Sequence, residues 1–190
     1  HGWNASYRFH QPDLEVLLRQ AVQSHPNITV KTEMELLHLG QKSDHVSLQC
    51  LAGDSGLTSR MTASYVVGCD GARSSVRQAM GVSMENLGFR QSWLVVDVLL
   101  YREMPELGDH SVQFCDAERP MTYCRSPKNR RRWEITMQAG ESAGEMTDPD
   151  RVWQFLSRWI TPDDAQIERS VVYTFESALA ETWRKDRLLL

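Results

Sequence analysis

A mixed α/β (α+β) fold is what the sequence predicts, and three observations carry that expectation. Residues 11–23 hold apolar side chains at helical spacing. Residues 93–138 break into short alternating or apolar segments separated by Pro, Gly and Asp, the mark of an antiparallel sheet. Between them, Tyr65-Val66-Val67-Gly68-Cys69-Asp70-Gly71 takes an apolar strand into a sharp acidic glycine turn, and Ala72-Arg73-Ser74-Ser75-Val76-Arg77 then opens a polar, basic helix. At 190 residues, 41% hydrophobic and 24% charged, the chain is long enough to bury a core in one or two domains.

The elements follow in order. Gln11-Pro12-Asp13 starts a helix, since Pro suits the first turn and Asp13 favours the positive end of the helix dipole. Leu14, Leu17, Leu18 and Val22 make its apolar face, and Ser24-His25-Pro26-Asn27 ends it. Strands are expected at 28–31, 34–39 and 45–51, then a hairpin turn at Gly53-Asp54-Ser55-Gly56 and a returning strand over 59–67. The second part offers strands at 93–101, 111–115, 121–125 and 132–138. A helix capped by Asp148 runs to Ile160, its stripe of Val152, Phe155, Leu156 and Trp159 reading as core. A strand at 170–175 and a terminal apolar strand at 188–190 complete the set.

Bulk chemistry narrows the function classes. A net charge of −4 argues against nucleic acid, and the basic run Lys128, Arg130, Arg131, Arg132 reads as a solvated hairpin turn. No apolar stretch approaches membrane-spanning length, and His1-Gly2-Trp3-Asn4 lacks the charged and apolar regions of a secretion signal, so a cytoplasmic location is expected. Cys50, Cys69, Cys115 and Cys124 sit in strand-like segments with no Cys-x-x-Cys spacing, which predicts reduced, buried thiols. The histidines show no ligand spacing, so no metal is expected.

The Asp-Gly turn carries most of the chemistry. Gly68 and Gly71 let backbone approach a ligand, Ser74 can cap the following helix, and Asp70 can accept hydrogen bonds from hydroxyls or from backbone amides. An Asp that stabilises its own turn satisfies the same pattern.

With the apolar run before it and Ser74 and Arg77 after it, this turn resembles the second fingerprint of the aromatic-ring (class A) flavin monooxygenases. Three further segments resemble the same family, and within it the 3-(3-hydroxyphenyl)propionate hydroxylase branch. They are Phe9-His10-Gln11-Pro12-Asp13-Leu14-Glu15, Gln91-Ser92-Trp93-Leu94-Val95-Val96-Asp97-Val98, and Val172-Tyr173-Thr174-Phe175 on to Asp186-Arg187-Leu188-Leu189-Leu190. The matches run in family order along nearly the whole chain. The family's Gly-x-Gly-x-x-Gly loop and its later Gly-Asp loop do not occur among the eleven glycines.

The resemblance implies a middle fragment of a flavoenzyme: part of a Rossmann-like FAD-binding domain (1–88), a substrate lobe built on an antiparallel sheet with flanking helices (89–180), and a returning strand of the FAD domain (181–190). It implies FAD and NADH or NADPH as cofactors of the parent enzyme, with FAD itself lost from a fragment lacking both loops. Gln11, Asp70, Gly71, Ser74, Arg77 and Arg132 are the implied cofactor contacts, and Tyr123 and Arg125 the implied substrate contacts. Arg125 is the candidate to meet a substrate carboxylate. The implied reaction is ortho-hydroxylation of a phenolic phenylpropanoid acid by O2 through a flavin hydroperoxide, in aromatic catabolism. Another phenol, resorcinol-like or polyketide, and a noncatalytic binding module are the alternatives.

Overall fold

The computed structural model describes residues 2–4 and 6–190. In chain order the elements are α1 (Gln11–Gln23), β1 (Met34–Gln41), β2 (Val46–Ala52), β3 (Thr58–Ala63), β4 (Val66–Val67), α2 (Ser75–Met80), β5 (Met84–Leu100), β6 (Val112–Phe114), β7 (Met121–Arg125), β8 (Arg130–Thr136), α3 (Ala143–Met146), α4 (Pro149–Leu156), β9 (Ala165–Ala180), β10 (Arg184–Lys185) and β11 (Leu188–Leu189). They divide into two compact units. One takes in the chain up to His25 together with Phe89–Glu176, the other Pro26–Gly88 with Ser177–Leu190. Helix α1 thus falls in the same unit as the larger sheet.

That sheet has the order β6-β7-β8-β5-β9. Strict alternation along β7 and β8 gives it two chemically different faces. One face is apolar: Tyr123, Trp133 and Val96 lie side by side across β7, β8 and β5, with the Tyr123 and Trp133 rings 5.0 Å apart. Helices α3 and α4 cover this face through Met146, Val152 and Leu156, all buried. The sequence expectation of an Asp148-capped helix holds, since Asp148 accepts from the amides of Asp150 and Arg151. The helix proper closes at Leu156, and Ile160 reaches the core from the turn beyond it. Helix α3, missed in the sequence, has its signal in Ser142-Ala143-Gly144-Glu145, a reciprocal capping box.

The second unit holds two small sheets, β1-β2-β3 and β10-β11-β4. Both pack around α2, where Val46, Val76, Met80 and Leu188 form the core. The single strand expected over 59–67 is two strands in different sheets, parted at Ser64-Tyr65, where the Ser64 carbonyl accepts from Arg187. β4 then pairs in parallel with β11, which confirms the terminal leucines as a strand. Residues 28–31 are irregular rather than a strand. β5 begins at Met84, well before the expected 93, because its first half is exposed and carries no apolar alternation to read.

Two further expectations need correction. Cys50 is buried, but Cys69 and Cys115 are exposed, since both stand in loops after their strands have ended. The basic run does turn the β7–β8 hairpin, yet it is not simply solvated: Arg131 is only 4% exposed and holds the carbonyls of Lys128 and Arg130. Among the described residues no helix is long and apolar enough to cross a membrane, and no group of three or more His, Cys, Asp or Glu side chains is placed to hold a metal ion.

Candidate functional site

Two places carry site chemistry, one in each unit. In the second unit, the chain leaves β4 and bends through Gly68 and Asp70 into α2. Gly68 is required by close packing, because a Cβ there would sit 2.7 Å from the Cβ of Val76. Gly71 is required by backbone conformation, with φ of 76°, and the space where its Cβ would stand is open. Asp70 folds back on the helix it precedes. Its Oδ2 accepts from the amides of Ser75 at 2.6 Å and Val76 at 3.2 Å. Partial burial works against the charge of Asp70, but hydrogen bonds from Ser74 and the amides of Val76 and Ser75 outweigh it and hold the carboxyl below its ordinary range. Ser74, itself buried, caps the helix by accepting from the Arg77 amide at 3.0 Å. The Arg77 guanidinium returns to the Ala72 carbonyl at 2.8 Å. Asp70, Gly71, Ser74 and Arg77 are therefore one hydrogen-bonded device.

In the first unit, a cleft of about 570 Å³ opens on the polar face of the large sheet. Its floor is a row across three adjacent strands, Cys124 opposite Arg132 and Arg132 opposite Asp97. Arg132 grips Asp97 with two bonds, 2.7 Å from Nε and 3.2 Å from Nη2. Arg169 on β9 shares the same carboxylate at 3.0 Å. Arg130 and Glu168 make a second two-bond pair at 2.9 and 3.0 Å. Gln11 and the start of α1 supply the wall, where Gln11 donates to Glu15 at 2.9 Å and Phe9 and Pro12 add apolar surface. The bonds to Asp97 push the Arg132 guanidinium up in pKa, so its charge is fixed. Burial, with the Glu134 carboxylate nearby, pushes the Cys124 thiol up, which keeps it protonated and poorly nucleophilic.

The structure thus brings Gln11 and Arg132 together in the cleft, and Asp70, Gly71, Ser74 and Arg77 together at the turn. Tyr123 and Arg125 line neither. Strand alternation turns both to the opposite face of the sheet from Arg132. Tyr123 is 3% exposed against Trp133, and Arg125 is engaged by Asp109 at 3.1 Å and by the Lys128 carbonyl at 2.8 Å. Sequence reasoning missed Asp97, Arg130, Glu168 and Arg169. Asp97 had a signal, as the one acid in the apolar run Trp93-Leu94-Val95-Val96-Asp97-Val98. The other three acquire meaning only once the strands are in register.

The family model described as FAD binding domain matches residues 1–190. The chain belongs to the FAD binding domain family. Among curated relatives, it is 32% identical over 189 residues to a probable NADH-specific resorcinol 4-hydroxylase of Rhodococcus jostii (strain RHA1), covering 100% of this chain and 36% of the relative. It is 30% identical over 190 residues to a 3-(3-hydroxy-phenyl)propionate/3-hydroxycinnamic acid hydroxylase of Escherichia coli O157:H7, covering 100% of this chain and 34% of the relative. The chain spans about a third of the length of these relatives. Among solved structures, p-nitrophenol 4-monooxygenase PnpA from Pseudomonas putida DLL-E4 superposes with a TM-score of 0.83 at 16% identity, over 95% of this chain and 46% of that one. A complex of aklavinone-11 hydroxylase with FAD and aklavinone gives 0.78 at 21% identity, over 95% and 35%. These likenesses establish the mixed fold with antiparallel sheets for this member of the family.

Proposed function

We propose that this chain is part of an FAD-dependent monooxygenase that hydroxylates a phenol ring, using NADH or NADPH and O2. The observation that carries the reading is the Asp-Gly turn, where a left-handed Gly71 with open space at its Cβ position leaves backbone accessible beside a carboxylate kept ionised. Such a turn fits a dinucleotide cofactor, whose hydroxyls and amides can come close only where no side chain intervenes. The family match over residues 1–190 supports the same assignment.

On this reading Asp70, Gly71, Ser74 and Arg77 hold the cofactor, and Gln11 and Arg132 are further proposed cofactor contacts. Residues 26–88 and 177–190 then belong to the FAD domain and the β5–β9 sheet to the substrate lobe. The chemistry supplied by bound FAD is acceptance of two electrons from the nicotinamide and activation of dioxygen for insertion beside the phenol hydroxyl. The chain's own residues do the positioning. Arg132 stays protonated at any working pH, its guanidinium held in place by Asp97. Phe9 and Pro12 give the cleft an apolar wall against which an aromatic ring can rest. Gln11 orients by hydrogen bonding. FAD is held weakly by this chain alone, since no Gly-x-Gly-x-x-Gly loop is present to cradle the pyrophosphate.

Both a phenylpropanoid acid, such as 3-(3-hydroxyphenyl)propionate, and a resorcinol-like phenol suit an ortho-hydroxylating site. One experiment tests the reading: NADH and NADPH oxidation by the full-length protein, measured with and without each phenol, with products resolved chromatographically. Phenol-stimulated oxidation yielding a product with one added hydroxyl is expected. Oxidation indifferent to every phenol, with no hydroxylated product, would refute it.

A further inference from the structure

The arginines of the cleft are not idle. Arg132 places two bonds on Asp97, Arg130 places two on Glu168, and Arg169 shares Asp97 while its Nη1 donates to the Tyr173 hydroxyl at 3.2 Å. Among the described residues, the cleft lining carries three arginines against the three carboxylates of Glu15, Asp97 and Glu168, so with His10 neutral its formal charge cancels. Arg125, the cation the sequence offers for a carboxylate, lies on the other face of the sheet and is tied to Asp109 at 3.1 Å.

From this balance we infer that the cleft selects a neutral phenol over one that bears a carboxylate. The inference rests on the hydroxylase reading above and names its substrate class. An arylalkanoate entering here brings a further negative charge into a site whose guanidinium groups are committed. It must either take an arginine from Asp97 or Glu168, leaving that acid unpaired in a half-buried cleft, or stay uncompensated. A neutral ring pays neither cost. Its hydroxyls find uncharged or accepting partners in Ser126 and Glu15, and its faces meet Phe9 and Pro12.

A matched pair of ligands isolates the charge. The full-length, FAD-loaded protein, oxidised and without NADH or NADPH, is titrated near neutral pH with 3-(3-hydroxyphenyl)propionate and with its primary amide, which has nearly the same shape. Binding is read from the perturbed flavin absorption. The amide is expected to bind at least about tenfold more tightly. Glu168→Gln, which releases Arg130, is expected to narrow that ratio several-fold by strengthening acid binding. An acid that binds as tightly as its amide, or more tightly, overturns the selectivity, while its coupled hydroxylation would leave the hydroxylase reading standing. If neither ligand nor resorcinol binds or is hydroxylated, the hydroxylase reading falls and this inference falls with it.

Discussion

Asp70 serves the fold with its carboxylate, and on the proposed reading the cofactor as well. Its Oδ2 is spent on the first amides of α2, which is the turn-stabilising role, while the open backbone at Gly71 beside it is what a ligand would approach. Asp70→Ala is therefore expected to cost about 1 kcal/mol of stability, the usual loss on removing a helix cap, measurable by urea unfolding. In the full-length protein the same change should raise the FAD dissociation constant about tenfold or more, by flavin fluorescence titration. Unchanged FAD affinity would confine Asp70 to its structural role. Glu141 shows a purely structural carboxylate by contrast. The Arg119 guanidinium, which grips it at 2.7 and 3.0 Å, outweighs burial and, with the Gln138 amide, brings its pKa from 4.5 to about 2. A depressed folded pKa gives stability that is present above 4.5 and is lost as the pH falls toward 2. Glu141→Gln should thus lower the melting temperature at neutral pH, and the gap from the parent should shrink across that acidic window.

Among the elements, the sequence was readable wherever one face is buried. The limits of β7 coincide with the expected 121–125, and the stripe on α4 reaches the core as its spacing implies. It was unreadable where strands are solvated, as in the first half of β5, or where a continuous pattern hides a change of sheet, as between β3 and β4. The turn at Asp70 was legible because glycines and caps act locally. The cleft was only half legible: Gln11 and Arg132 belong to it, whereas Asp97, Glu168 and Arg169 join through strand pairing that no local pattern records. Tyr123 and Arg125 lie on the face opposite the cleft, since neighbours on a strand face opposite sides. β11 offers a test of its own. Leu188 is 2% exposed in the central strand of β10-β11-β4 and belongs to the core around α2. Leu188→Ala should cost about 2–5 kcal/mol, the range for truncating a buried leucine, and hydrogen exchange should rise in β4 and α2.

As a whole, the molecule is a mixed fold with antiparallel sheets in the FAD binding domain family. The chain spans about a third of its curated relatives, and on the proposed reading each unit contributes one part of the chemistry: a backbone turn open to a dinucleotide, and a charge-balanced cleft with an apolar wall. On that reading, the oxygen inserted into the ring comes from O2 activated on the cofactor. Isotope labelling tests this most directly. With the full-length protein, FAD, NADH or NADPH, a phenol and oxygen-18 gas, mass spectrometry of the product should find one labelled atom in the new hydroxyl. A hydroxylated product that carries unlabelled oxygen, or nicotinamide oxidation with no hydroxylated product at all, would contradict the account.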